Sequence, residues 1–247
     1  MVFDTVTIIA ILVAFALGGI LKGATGAGAP VVTIPVIAAF YDVRIAVIIM
    51  VVPNLLTNIG QLYQFRKTIL PSFFTVSFAL GGGIGALIGT ILLANLSIKI
   101  LTLSVAFIVI IYILLKLIVP SWKLIYEKAA KLVFIMGTAG GVLQGAAGLS
   151  APISITFLNA MKLERNQFIP TISVYFGVMS IFQMPTLYYY DFLNFEIIAA
   201  SLISTVVLLS FMPLGSWVAK SVSKENFDKI TLILLAFIAL RIIYLNL

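Results

Sequence analysis

The feature that most constrains this chain is a series of long stretches without a single charged residue. Eight such stretches lie between successive charges, and a ninth begins at Ile230 and is interrupted by Arg241. The eight are Thr5–Leu21, Gly23–Tyr41, Ile45–Phe65, Thr68–Ile98, Ile100–Leu115, Leu132–Met161, Asn166–Tyr190 and Ile197–Ala219. Most reach the roughly 20 residues that a helix needs to cross a hydrocarbon core of about 30 Å. The sequence therefore predicts an all-α polytopic membrane protein with about eight transmembrane helices in the lipid bilayer.

Composition excludes the usual soluble classes. The chain is 62% hydrophobic and 9% charged, whereas soluble domains are about 45–50% apolar and about 25% charged. It contains no histidine and no cysteine, which removes haem and zinc ligation, disulfides and any Ser-His or Cys-His nucleophile. The net charge of +7 comes from lysines and arginines in short loops, so nucleic acid is not expected as a partner. We therefore predict that the protein is not an enzyme and uses neither a cofactor nor a metal.

An internal repeat organises the chain. Residues 18–30 (the first glycine motif) and 140–152 (the second glycine motif) are identical at eight of thirteen positions, at an offset of 122. Polar and charged residues outside the motifs recur at the same offset. The sequence therefore divides into two homologous halves, residues 1–122 and 123–247, within one membrane domain.

Each glycine motif is too rich in glycine for a regular helix, and Pro30 and Pro152 each remove a further backbone donor. We therefore expect a helix break within the membrane at each motif. The apolar pieces that follow, Val31–Phe40 and Ile153–Met161, are too short to cross alone, so each motif predicts a re-entrant hairpin. Irregular backbone is tolerated in a membrane only where it is buried in protein or lines a cavity. The two breaks thus predict one central site.

The distribution of lysine and arginine predicts the topology. If each hairpin returns to its own side, the chain starts outside and three cations lie outside, namely Arg44, Lys99 and Arg241. Each half then makes three net crossings, so the second half is inverted relative to the first, as in secondary transporters with a midplane site. Eleven cations lie inside: Arg66, Lys67, Lys116, Lys123, Lys128, Lys131, Lys162, Arg165, Lys220, Lys224 and Lys229.

The paired motifs also carry a resemblance. Two Gly-x-x-x-Gly-x-x-Gly-…-Pro segments, Gly19–Pro30 and Gly141–Pro152, in a chain of 247 residues resemble the TauE/SafE family of sulfite exporters and related anion transporters. The similarity covers the whole chain. It implies a multi-pass carrier in the plasma membrane for small anions that contain sulfur or a carboxylate.

Independently of that resemblance, Lys22 points to an anion, because it is the only charged residue inside a motif. A lysine at the bilayer centre costs at least about 2.5–3.5 kcal/mol, and none of the predicted spans contains a carboxylate to pair with it. Backbone amides freed at the two breaks add partial positive charge. We therefore expect Lys22 to hold an anionic substrate. The alternative is that Lys22 extends to an interface from the end of a shorter helix.

The candidate anion-binding residues in the motifs are those at or beside the two breaks: Lys22, Gly23, Thr25, Gly26, Gly28, Gln144, Gly145, Gly148 and Ser150. For the glycines the alternative role is close helix packing, and for the Thr25 and Ser150 hydroxyls it is local capping. Polar faces on the spans after the hairpins add Asn58, Gln61 and Gln183, with Asn54, Ser173 and Ser180 beside them. These side chains either line the substrate cavity or join helices by hydrogen bonds.

Together these features predict a secondary transporter that moves a small anion by alternating access around a site formed by the two glycine motifs. An anion channel is the alternative, although it should show a ring of basic residues rather than one lysine. Substrate, direction and coupling are left open by the sequence, as is the question of whether two copies form a homodimer.

Overall fold

The computed structural model describes residues 5–118, 122–221 and 224–246, and these residues are almost entirely helical. They form ten α-helices, with a single 3-10 turn at Arg66–Thr68. The helices are α1 (Thr5–Thr25), α2 (Ala29–Phe40), α3 (Val43–Phe65), α4 (Ser72–Asn95), α5 (Ile98–Ile118), α6 (Tyr126–Ala147), α7 (Ser154–Ala160), α8 (Arg165–Tyr189), α9 (Phe195–Ser221) and α10 (Lys224–Asn246).

Seven of these helices are long and apolar enough to cross a membrane, namely α1, α3, α4, α5, α6, α8 and α9. The eighth long helix, α10, has 23 residues and carries its charges mainly in its first two turns, with Arg241 further along. This arrangement confirms the predicted all-α polytopic membrane protein.

The two short helices fold back on the helices that precede them. The Thr33 hydroxyl in α2 donates to the Ala14 carbonyl in α1 at 3.2 Å, so α2 runs antiparallel to α1. At the end of α7, the Ala160 carbonyl accepts from the Leu124 amide, just before the start of α6, at 2.8 Å. Both glycine motifs therefore form helical hairpins, as predicted.

Each motif contains the expected break, but part of the first motif is regular helix despite its glycines. Helix α1 continues through Gly18, Gly19 and Gly23 to Thr25, and the break covers residues 26–28. Gly26 and Gly28 adopt left-handed φ angles of 82° and 91°, and Gly148 does the same at 70° in the second break. The first break thus follows a helix of 21 residues, which is about 31 Å long.

The two prolines lie at different places relative to the breaks. Pro30 acts differently from the expectation, because it is the second residue of α2, where its missing amide hydrogen costs nothing. Pro152 lies within the second break, in the turn before α7.

Glycines inside the helices let neighbouring backbones come close. A Cβ on Gly19 would lie 2.5 Å from the Leu208 carbonyl oxygen of α9, and one on Gly141 would lie 2.2 Å from the Gly82 carbonyl oxygen of α4. Helices α1 and α9 thus pack through small residues, and so do α4 and α6. Between these pairs, α3 and α8 pack against each other and carry the buried polar side chains.

Candidate functional site

A line of buried hydrogen bonds connects α1, α3 and α8. The Lys22 ammonium donates to Asn58 Oδ1 at 2.9 Å, and Asn58 Nδ2 lies 3.0 Å from Asn54 Oδ1. Asn54 Nδ2 in turn donates to Ser180 Oγ at 3.2 Å. All four residues are at most 2% exposed. We call these four residues the central polar cluster. Asn54 is the middle residue of α3.

Lys22 does not extend to an interface, so the structure excludes that alternative. Its side chain is 1% exposed and ends on Asn58, an uncharged amide. Within the residues that the structure describes, Lys22 forms no ion pair. A buried cation without a carboxylate partner is costly in a medium of low dielectric constant, and an anion beside it would offset that cost.

The other predicted polar residues join helices. Ser173 Oγ in α8 donates to Gln61 Oε1 in α3 at 3.4 Å, and Gln183 Nε2 in α8 donates to Thr90 Oγ1 in α4 at 3.3 Å. Thr90 was missed in the sequence because it stands beside Gly89, in a stripe of small residues that indicated packing alone. In this conformation Gln61 and Gln183 therefore join helices by hydrogen bonds.

The two breaks meet at a narrow space between the halves of the chain. Its lining includes Gly28 and Pro30 from the first motif and Gln144 and Ser150 from the second, with Phe176 of α8 beside them. The empty volume is about 150 Å³, in a shape too narrow to hold a water molecule. We call this space the motif crevice. Helix α8 contributes to both features, since Phe176 lines the crevice and Ser180, one turn further along, belongs to the central polar cluster.

The remaining motif residues have local or packing contacts. The Thr25 hydroxyl is exposed and bonds within its own turn, to the carbonyls of Leu21 and Ala27. Ser150 is buried, its amide donates to Gln144 Oε1 at 3.3 Å, and its hydroxyl accepts from Ser154 Oγ at 3.0 Å. The Thr25 hydroxyl therefore caps the end of α1, whereas the Ser150 hydroxyl bonds to another side chain, that of Ser154 at the start of α7.

The motif glycines interlock with the opposite half. A Cβ on Gly23 would lie 2.0 Å from the Met212 carbonyl oxygen, and one on Gly145 would lie 2.2 Å from the Ala86 carbonyl oxygen. At the breaks, Gly26 faces Ile169, and Gly148 faces Ile34 and Val47. Close packing accounts for all four of these positions without a ligand.

Arg165 contacts the first glycine motif, which the sequence analysis did not predict. It was assigned to an inside loop, but its Nη2 donates to the Gly23 carbonyl at the end of α1 at 3.1 Å. Ser216 Oγ of α9 donates to the same carbonyl at 3.1 Å. Residues of the second half therefore hold the end of α1, and only the tertiary structure brings them together.

A larger and more open hollow, with an empty volume of about 550 Å³, lies at the 3-10 turn. It is lined by Tyr63, Gln64, Phe65, Arg66, Lys67, Thr68 and Asn166. It includes none of the predicted site residues.

Long apolar helices around a buried amine and buried amides define the class: a polytopic helical membrane protein with a polar centre. Comparison with family models identifies the family, because the model described as "Sulfite exporter TauE/SafE" matches residues 10–242. The chain belongs to this family. Comparison with curated proteins gave no match, and comparison with solved structures gave none either. Family membership implies transport of an anion such as sulfite across a membrane.

Proposed function

We propose that this protein is a secondary transporter that moves a small anion, such as sulfite, a sulfonate or another organic anion, by alternating access. The observation that carries the proposal is the buried ammonium of Lys22, which meets only a neutral amide. A carboxylate in the protein would neutralise this ammonium permanently. Because the ammonium meets a neutral amide instead, an anionic substrate can bind to it and leave again. The substrate site therefore lies at the central polar cluster and the motif crevice.

Matched contacts support two halves related by inversion. Gly23 meets Met212, and Gly145 meets Ala86. The two contacts are equivalent in the repeat. Gly23 corresponds to Gly145 at the offset of 122, and Ala86 corresponds to Met212 at an offset of 126. Helices α1 and α9 thus pack through the same pair of repeat positions as helices α6 and α4. In such carriers the halves rock against each other around a shared site.

The narrowness of the motif crevice favours a carrier over a channel. A channel needs a continuous wet path, commonly lined by a ring of charges. Here the space between the breaks is too narrow for water, and the buried cation within the described residues is Lys22 alone. An anion can therefore reach this space only if the surrounding helices move.

The orientation and location complete the proposal. The lysine and arginine count supports an N-terminus on the outside, and the family supports a location in the plasma membrane. Cross-linking in native membranes would show whether a homodimer forms.

The first test is a binding screen with purified protein. Sulfite, sulfate, thiosulfate, sulfonates and small carboxylates are added separately, and binding is measured as thermal stabilisation by mass action. We expect at least one of these anions to raise the melting temperature in a saturable manner. Stabilisation by none of them would contradict the proposed site.

The second test separates carrier from channel. Proteoliposomes preloaded with the bound anion should show saturable counterflow of labelled anion. A current that follows voltage and does not saturate would support the channel instead.

A further inference from the structure

The ammonium group of Lys22 has more N–H donors than the surrounding residues offer acceptors. A lysine side chain carries three N–H donors. In the described ranges, the acceptor that Lys22 meets is Asn58 Oδ1 at 2.9 Å. Two donors of a cation that is 1% exposed therefore stand without an acceptor from the described protein. An anionic group with several oxygens would supply what they lack.

The buried side chains around this cation add no second charge, and Arg165, which donates to the carbonyl of the adjacent Gly23, is an exposed side chain. Among the described residues, the buried polar side chains are all threonine, serine, asparagine or glutamine except Lys22. Neutral amides and hydroxyls can donate hydrogen bonds to an anion, but they do not balance its charge. The buried site thus offers one positive charge.

The second half does not supply another cation at the corresponding position. Lys22 corresponds to Gln144 at the offset of 122, so the repeat presents an amide where the first half presents an ammonium. Gln144 lines the motif crevice, and its Oε1 accepts from the Ser150 amide at 3.3 Å. The two halves therefore differ in charge at this position.

We infer that the site selects anions that carry one negative charge over those that carry two. This inference rests on the proposed function. A singly charged anion beside Lys22 makes the buried site neutral. A doubly charged anion leaves one uncompensated negative charge in a medium of low dielectric constant, where such a charge is strongly disfavoured.

The test uses pairs of anions that differ mainly in charge. Methanesulfonate and sulfate form one pair, and monomethyl succinate and succinate form the other, all fully ionised at slightly alkaline pH. Affinity for the purified wild-type protein is measured by titration calorimetry at one pH and one ionic strength, with the large anion gluconate as the balancing salt. We expect the singly charged member of at least one pair to bind about tenfold more tightly or better.

The outcomes separate the inference from the function on which it rests. Tighter or equal binding of the doubly charged members would overturn the charge selection and leave an anion carrier. Binding of none of the four probes, together with no response in the broader anion screen, would overturn both.

A second measurement adds charge to the site. Gln144→Lys should improve the affinity for sulfate relative to methanesulfonate by about tenfold, because the site would then hold two cations. Gln64→Lys adds the same charge at an exposed position and should leave the ratio unchanged. An unchanged ratio in monodisperse Gln144→Lys protein would overturn the inference. If that variant does not fold, the wild-type comparison alone decides.

Discussion

The Nζ atom of Lys22 lies 2.9 Å from Oδ1 of Asn58, 36 residues away on the neighbouring helix α3. The buried cation of the described chain thus faces an amide rather than a carboxylate. The amide holds the lysine in place without neutralising it. This relationship makes Lys22 and Asn58 the most informative pair for testing the site.

Replacing Lys22 with methionine should weaken anion binding while leaving the protein at least as stable as before. Methionine keeps much of the side-chain volume and removes a buried charge that lacks a counter-ion. We expect the affinity for the anion identified in the screen to fall by about tenfold or more, since a charged hydrogen bond contributes about 1.5–3 kcal/mol. Lys67→Met, at an exposed position, is the control. Equal losses of affinity in the two variants would show that Lys22 does not contact the substrate.

Replacing Asn58 with aspartate should give Lys22 a permanent partner. The new carboxylate would stand where Oδ1 now accepts from the ammonium, so it would compete with the substrate. We expect a higher melting temperature without ligand and a loss of anion-induced stabilisation. Asn95→Asp makes the same change at the exposed end of α4. It should change the melting temperature and the anion-induced stabilisation much less than Asn58→Asp does. Retention of full anion binding in Asn58→Asp would contradict the proposed role of Lys22.

Alanine at the packed motif glycines should destabilise the fold. A Cβ at Gly23 would lie 2.0 Å from a carbonyl oxygen of α9, so the helices must separate. We expect a loss of about 1–3 kcal/mol in the free energy of unfolding, measured by equilibrium denaturation in detergent micelles. Gly177→Ala is the control, because nothing lies within 4 Å of a Cβ there and alanine favours the helix by up to about 1 kcal/mol. Similar losses at both positions would mean that close packing does not explain Gly23.

The absence of cysteine in this chain allows the topology to be measured directly. A membrane-impermeant maleimide applied to intact cells should label Lys99→Cys, which the charge count places outside. It should not label Lys67→Cys, which the count places inside, until the membrane is permeabilised. Both lysines are exposed, so a difference in labelling reflects sidedness. The opposite pattern would invert the proposed orientation.

Transport should not require sodium. The buried residues that the structure describes include no carboxylate to neutralise a sodium ion beside the motifs. We expect uptake into proteoliposomes to follow the anion gradient and the membrane potential when a sodium gradient is removed. Potassium replacing sodium on both sides is the matched condition. Strict dependence on a sodium gradient would show that backbone carbonyls and amide side chains suffice as ligands.

Much of the architecture was predictable from the sequence because its causes are local. The positions of the long helices follow from uncharged stretches, and the tight turn at Gly26 and Gly28 follows from the clustering of glycine. The polar faces of α3 and α8 were predictable from helical spacing, and the Asn54–Ser180 hydrogen bond joins them. Each of these predictions needed only residues close together in the chain.

The interior of the site was less predictable. Gly23 looks in sequence like a break residue, yet it is helical because the backbone of α9 approaches it. Thr90 and Arg165 become contacts only through helices far away in the chain, with Gln183 and Gly23 as their partners. Nothing in the local pattern distinguishes a glycine that breaks a helix from one that admits a neighbour.

From the residues alone it follows that the chain lies in a membrane, that it crosses with about eight long helices, and that it folds back after each glycine motif. The physical reason is that burial of apolar segments in lipid depends on the composition of each segment. The tertiary structure decided that Lys22 meets Asn58 and that the two motifs close on a single narrow crevice. Those outcomes depend on which helices pack together, and packing is set by surfaces that are complementary across the two halves of the chain.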